Sequence, residues 1–409
     1  MRMGMSTPRH GNESSRLKEH ILKDLQMITG NHAAAMAAAM AGRANRSGRG
    51  FCSGVYPITP STECMEFLCL QDIEKGQVVK VESEHSAMAV CVGASAAGAR
   101  TFTTTGGNGL IYMSENVTVA AYLRLPVVMV VGNRAIGPPW NIWTDHSDSL
   151  ALRDSGWVQI YCWNNQEVFD AVLMAFRIAE DHRTLLPVMV CQEGFVLSHT
   201  MTLTEIAYQA QVDKFLPPLQ LPHRLATTPR ALGTFDTSHM IEAHREQHHA
   251  AMGMVWSAYR EAQADFERIF GRHPPDPVVT YRTDDAQLAL VSMGTIAETA
   301  NRVVDDLRGR GLKVGSIRVC MFRPFPFDAL KQAFAGIPRI AVIDRDISLG
   351  FGGALWGEVR GLAEPGAIVQ NFVTGLGGGD VRPEHIEEMV TEALGLTTSG
   401  PPVFIGVGE

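Results

Sequence analysis

The stretch Val81-Glu82-Ser83-Glu84-His85-Ser86-Ala87-Met88 sets two carboxylates between a short β-branched run and a run of small residues at 89–99. A carboxylate caught between a strand and a close-packed helix is at risk of burial, which disfavours its charged form. Such a group can hold or exchange a proton with a ligand nitrogen near neutral pH. The same pattern suits surface carboxylates at a helix start, where the helix dipole favours them, and spacing leaves both readings open. Tyr56-Pro57-Ile58-Thr59-Pro60-Ser61-Thr62-Glu63 sets two prolines around a hydroxyl directly after a strand-like run. That fixes a rigid turn at a strand's carboxyl end, the edge where open α/β sheets bind ligands. A helix start capped by Ser61 or Thr62 is the plainer explanation.

Asn133-Arg134 closes a third apolar run and precedes the loop Pro138-Pro139-Trp140-Asn141-Ile142-Trp143. An arginine there can grip a carboxylate through two parallel hydrogen bonds, or form an ordinary ion pair. Thr103-Thr104-Thr105-Gly106-Gly107-Asn108-Gly109 brings backbone close to something but lacks both phosphate-loop patterns. Asp145-His146-Ser147-Asp148 has the residue types of a hydrolase triad. Adjacent side chains rarely face one another as a triad needs, and no GxSxG elbow is present. His244 and His248 lie four apart without a third ligand nearby and read as a solvated helix face. Cys64, Cys69 and Cys91 fall in helix-like stretches and read as packing residues.

The elements that must position these residues alternate. Short apolar runs at 55–58, 78–81, 101–105, 127–131, 158–161 and 188–191 suit buried parallel strands. Helical spacing recurs between them, as at 167–179. Residues 201–283 break the rhythm with Pro217, Pro218, Pro222 and Pro229, then a helix expected over 238–270 and stopped by Gly271. A second unit begins at 284, with strands at 288–291, 314–319 and 340–343 and helices at 297–310 and 326–335. The expectation is an α/β chain of two doubly wound domains, 30–200 and 284–409. A polar extension (1–29) precedes them and a linker with one long helix (201–283) joins them.

Composition narrows the function. With 409 residues, 35 basic against 43 acidic and a net charge of −8, the chain has no basic surplus with which to bind nucleic acid. Seven cysteines without a CxxC pair disfavour a disulfide framework, a zinc knuckle and a self-contained iron–sulfur domain. The alanine-rich stretch 33–41 is too short for a membrane span, and the first thirty residues contain no apolar signal core. A cytoplasmic protein that needs no membrane is expected.

In order along the chain, YPITPST (56–62), VESEHSAM (81–88), GASAAGARTFT (93–103), RLPVVMVVGNRA (124–135) and NIWTDHSDS (141–149) resemble the α subunit of the thiamine-diphosphate-dependent 2-oxoacid:acceptor oxidoreductases, the pyruvate:ferredoxin oxidoreductase family. RDSGW (153–157), NNQE (164–167), LLPVMVCQEGF (185–195), VSMG (291–294), RPF (323–325), DRD (344–346) and TGLGGGDV (374–381) extend the match, from Gly30 to about Thr391. The resemblance implies a thiamine-diphosphate pyrimidine-binding domain followed by a transketolase C-terminal-like domain. It assigns Glu84 to the aminopyrimidine ring as the catalytic carboxylate, with Pro57, Ile58 and Gly106 also lining the cofactor. It gives Thr59 and Arg134 to the 2-oxoacid, with Gly107, Asn108 and Trp140 beside it.

The resemblance further implies oxidative decarboxylation with coenzyme A to an acyl-CoA. The diphosphate-binding GDG signature and cysteine clusters are missing from this sequence. The resemblance puts the diphosphate ligands, magnesium and a proximal [4Fe–4S] cluster on a separate β subunit, with a γ subunit and a ferredoxin-like iron–sulfur subunit as further partners. A flavin (FAD) subunit is expected if NAD rather than ferredoxin accepts the electrons. Gly106-Gly107-Asn108 is smaller than the family pattern, and Trp140 stands where smaller apolar residues are usual. Room plus an aromatic wall suggests phenylglyoxylate, with pyruvate as the alternative. A non-catalytic scaffold and an acceptor-independent, transketolase-like enzyme are the readings from other classes.

Overall fold

The computed structural model describes residues 24–225 and 231–408. Two large sheets dominate it. The first has seven strands in the order Met321–Arg323, Val158–Tyr161, Val188–Glu193, Val127–Asn133, Arg100–Thr105, Phe51–Val55, Gly76–Lys80. All pair in parallel except the first, which is antiparallel to Val158–Tyr161. The central strands are buried on both faces, which is why they read as unbroken apolar runs. The second sheet has six strands in the order Val403–Phe404, Ile368–Val373, Arg339–Asp344, Leu288–Ser292, Val314–Val319, Val278–Tyr281. Both are α/β layers, as expected.

Several elements differ from the sequence expectation. Asp24–Ile28, inside the supposed polar extension, is a strand paired antiparallel with Thr202–Ile206; residues 1–23 of that extension lie outside the described residues. Val278–Tyr281, in the expected linker, is an antiparallel edge strand of the second sheet. Met321–Arg323 leaves the second unit to pair with the first sheet. The alanine-rich stretch is a buried helix, Gly30–Ala44, packed against Asn165–Ala179. Among the described residues no helix is long and apolar enough to cross a membrane.

One buried ion pair joins the sheets. Glu193, at the end of a first-sheet strand, accepts from Arg345 Nη1 at 2.5 Å, from Thr295 Oγ1 at 2.5 Å and from the Thr295 amide at 3.0 Å. His146 Nε2 lies 3.1 Å from Oε1, the oxygen that also accepts from the Thr295 amide. Arg345 also donates to the Gly375 and Gly379 carbonyls. Burial opposes the charge on Glu193, but Arg345, His146 and Thr295 prevail and hold the carboxyl at about 2. A carboxyl depressed in this way stabilises the fold above its ordinary pKa, and that contribution is lost as pH falls through the folded value. Glu193→Gln, which leaves Arg345 buried and unpaired, is expected to cost about 3–5 kcal/mol at neutral pH. In thermal unfolding the deficit should be constant from neutral pH to about 5 and shrink from there toward pH 2.

Candidate functional site

Loops after four neighbouring strands of the first sheet carry the residues singled out in the sequence: 56–61 after Phe51–Val55, 82–84 after Gly76–Lys80, 106–109 after Arg100–Thr105 and 134–143 after Val127–Asn133. They meet at the carboxyl edge, where open parallel sheets leave a crevice. The Tyr56–Ser61 turn is anchored from outside the sheet. Asn31 Nδ2, at the start of the alanine-rich helix, donates to the Pro60 carbonyl at 2.7 Å, and Gln192 Nε2 holds the Asn31 oxygen at 2.9 Å. A side chain at Gly30 would run into Gln192, so glycine permits this close approach. Ser61 precedes the helix Thr62–Cys69 but makes no side-chain cap; its hydroxyl donates to the Thr105 carbonyl at 2.9 Å, binding two site loops together.

Glu84 is the first residue of the helix Glu84–Ala96, capped by Ser83, whose hydroxyl accepts from the Ser86 amide. It is 9% exposed, and its carboxylate has no hydrogen-bond or ion-pair partner among the described residues. Glu82, by contrast, is exposed and accepts from the Ser86 hydroxyl at 2.5 Å. The two carboxylates that spacing left equivalent therefore divide into a surface residue and a largely buried one with no donor among the described residues. Opposite Glu84 stands Gly109, where a β-carbon would lie 2.7 Å from Glu84 Oε1, 2.7 Å from Ile58 Cδ1 and 2.8 Å from Thr105 Oγ1. The Thr105 hydroxyl is buried and unpartnered as well. An acid, a hydroxyl and an aliphatic tip thus converge where the chain has left out a side chain.

Arg134 lies on the other side of the 106–109 loop. Its Nε donates to the Asn141 carbonyl and its Nη1 to the Thr59 carbonyl, both at 3.0 Å. Its remaining three N–H groups have no partner among the described residues, so a planar fork stays available to an anion. Gly107 packs against it at φ +56°, and a β-carbon there would lie 2.9 Å from Arg134 Cδ. Gly106 abuts the Gly132 carbonyl, leaving no space for a side chain. The small residues at 106–107 therefore serve backbone approach, and Arg134 fills the room expected beside Gly107. Asn108 accepts from the Gly137 amide at 3.1 Å, and Pro57 is exposed. Trp140 is 71% exposed, so its ring faces solvent within this chain.

Asp148 went unnoticed in the sequence except as part of a false triad. In the fold it is wholly buried and accepts from the amides of Gly107 and Arg134 and from the Asn133 side chain. The triad does not form: the Ser147 hydroxyl donates to Asp145, while His146 turns to Glu193. An aspartate 14 residues beyond Arg134 and 41 beyond Gly107 carries no local signal of that role. His244 pairs with Asp236, and His248 lies 3.4 Å from the Gly156 carbonyl. No group of three or more His, Cys, Asp or Glu among the described residues could hold a metal. Cys64 and Cys91 are fully buried, and desolvation pushes both thiols up to about 12, as packing residues require; Cys69 is half-buried.

Residues 49–264 match the family model described as "Pyruvate flavodoxin/ferredoxin oxidoreductase, thiamine diP-bdg". Residues 286–386 match that of the pyruvate:ferredoxin oxidoreductase core domain II. This chain belongs to the pyruvate flavodoxin/ferredoxin oxidoreductase family. Within that family it is 43% identical over 371 residues to pyruvate synthase subunit PorA of Methanothermobacter thermautotrophicus, covering 90% of this chain and 94% of that one. It is 39% identical over 384 residues to ketoisovalerate oxidoreductase subunit VorA of Pyrococcus abyssi, covering 92% and 95%. Its fold is similar to that of 2-oxoglutarate:ferredoxin oxidoreductase from Magnetococcus marinus, with TM-score 0.70 and 18% identity over 91% of this chain and 66% of that chain. The oxidoreductase family thus accounts for the fold, with a seven-stranded and a six-stranded sheet in one chain.

Gly109→Ala tests the Glu84 recess. Alanine suits a helical position, so stability should fall by no more than about 1–3 kcal/mol of overpacking. Turnover by the assembled oxidoreductase should fall by at least about 1.4 kcal/mol in barrier terms, tenfold in rate, because Glu84 is displaced. Calorimetry and steady-state rates on the same preparation compare the two effects.

Proposed function

We propose that this chain is the α subunit of a heteromultimeric 2-oxoacid:ferredoxin oxidoreductase and contributes the pyrimidine-binding half of a thiamine diphosphate site. The observation that carries the reading is the carboxylate of Glu84, 9% exposed and unpartnered among the described residues, facing the space left by Gly109. A buried carboxylate without a donor is costly unless a ligand satisfies it. An aminopyrimidine ring fits that demand: Glu84 meets its ring nitrogen, Ile58 and Gly109 offer an apolar, flat contact, and Thr105 has a hydroxyl to spare. In sequence Pro57 adjoins Ile58, and Gly106 opens the loop that ends in Gly109. Bound thiamine diphosphate supplies a carbon nucleophile and an electron sink for decarboxylation. Glu84 holds the proton at the pyrimidine nitrogen and returns it as the ring's charge changes. The free N–H groups of Arg134, with the Thr59 hydroxyl, hold the carboxylate and keto oxygen of the 2-oxoacid, while Gly107 and Asn108 shape the loop beside them.

The division of labour follows. The seven-stranded sheet is the frame of the pyrimidine-binding domain, and the six-stranded sheet, which takes in Val278–Tyr281 from the stretch expected as linker, is that of the transketolase C-terminal-like domain. A β subunit brings diphosphate ligands, magnesium and a [4Fe–4S] cluster. A γ subunit and a ferredoxin-like subunit complete the path to ferredoxin, or a flavin subunit completes one to NAD. Coenzyme A takes the acyl group. An aliphatic 2-oxoacid is favoured over phenylglyoxylate: Arg134 fills the room beside Gly107, Trp140 is 71% exposed, and relatives are named for pyruvate and ketoisovalerate.

Glu84→Gln in the assembled enzyme is expected to lower kcat by about 100-fold or more, the usual contribution of general acid–base catalysis, with subunit assembly intact. Full activity in this variant would favour a scaffold subunit. Wild-type kcat/KM should be higher for pyruvate or ketoisovalerate than for phenylglyoxylate; the reverse order would restore the aromatic reading.

A further inference from the structure

We infer that Asp148 is the positioning residue for the substrate-gripping arginine: its carboxylate sets the relation between Arg134 and the Gly107 loop, and thereby the affinity for the 2-oxoacid. Four donors converge on this one buried group. Oδ2 accepts from the Gly107 amide at 2.8 Å and from the Arg134 amide at 3.0 Å. Oδ1 accepts from Asn133 Nδ2 at 2.8 Å and from the Ser149 amide at 2.7 Å. The network continues outward: Asn133 Nδ2 also donates to the Ser149 hydroxyl at 2.7 Å, which lies 2.8 Å from the Tyr161 hydroxyl. All four of these hydrogen-bonding partners are donors, so the position calls for two acceptor oxygens.

The two residues tied through Oδ2 are the ones whose mutual placement matters. Gly107 sits at φ +56°, ψ −130°, a conformation that needs glycine, with its Cα against the Arg134 side chain. The Gly107 amide in turn is held by Asp148 and by no other acceptor among the described residues. Without that bond the Gly107 amide has no acceptor, and the loop against which the Arg134 stem packs is left tied to its surroundings through Asn108, one residue on, and the Gly137 amide. Burial pushes the Asp148 carboxyl up to about 6, against the pull of Asn133 and the two amides. A group kept ionised against such desolvation, and out of reach of the substrate, is there to hold its partners.

The inference rests on the reading that Arg134 meets the 2-oxoacid, and the experiment separates the two. In the assembled enzyme, Asp148→Asn keeps the shape but turns an amide toward one donor pair. KM for the 2-oxoacid should rise about tenfold or more, while KM for coenzyme A and the dissociation constant of thiamine diphosphate stay within about twofold. If this variant fails to fold, Asn133→Ala, which removes one donor and keeps the Oδ2 bonds, should raise the 2-oxoacid KM by about two- to fivefold with the same selectivity. Arg134→Ala is the control. A 2-oxoacid KM unchanged by Arg134→Ala removes the substrate contact itself, and this inference with it. A KM raised by Arg134→Ala but unchanged in the Asp148 and Asn133 variants overturns the positioning role alone. Uniform change in all three constants marks Asp148 as merely structural and likewise overturns it.

Discussion

The buried pair of Glu193 and Arg345 is the constraint on which the site's architecture rests. Both partners are at most 6% exposed, and each also binds elsewhere: Glu193 with His146 and Thr295, Arg345 with the 375–379 turn. The contacts extend into the loop that follows Arg134. The His146 amide donates to the Arg345 carbonyl, Asp145 accepts from the Gly377 amide, and Asn141 donates to the Gly377 carbonyl. Asn141 is also the residue whose carbonyl receives Arg134 Nε. The second sheet, which supplies none of the proposed contacts to cofactor or substrate, therefore holds the outer wall of the loop that does.

On the inner side the same loop is held by Asp148, so it is fixed between two carboxylates that burial treats differently. Glu193 has a cation beside it and stays a strong acid, at about 2; Asp148 has only neutral donors and is pushed up to about 6. Both are buried, and what separates them is the charge nearby: Glu193 has the Arg345 guanidinium and His146, whereas Asp148 has no cation and feels the carboxylate of Asp145. Glu84 is another buried acid, and unlike Glu193 and Asp148 it has no donor of its own among the described residues. The contrast between two carboxylates held by several donors each and one with none is what the proposed cofactor contact rests on.

Local signals made much of this legible. The helix Ser238–Phe270 begins and ends where the sequence indicated, because Gly271 adopts φ +71° and the proline pair follows it. Val158–Tyr161 and Val314–Val319 were likewise readable as apolar runs. Strands that depend on distant partners were not: Asp24–Ile28 needs 202–206, and Met321–Arg323 needs 158–161. The site divides along the same line. Proline and glycine spacing pointed to the 56–61 and 106–109 turns, but could not say which of Glu82 and Glu84 is buried. Nor could it foresee that Arg134 takes up the space beside Gly107. Asp148 and Arg345 were beyond reach because their partners are fixed by three-dimensional packing.

The short strand Met321–Arg323 has a consequence for how the polypeptide can be divided. It covers the outer edge of Val158–Tyr161, so one terminal rim of the seven-stranded sheet is sealed by chain that comes after the second sheet has begun. A fragment ending at the linker would leave that rim's amides and carbonyls open to pairing with any neighbour, an invitation to aggregation. The two halves are thus stitched crosswise rather than strung in series, and splitting the gene at the linker would yield two pieces, each lacking something the other holds.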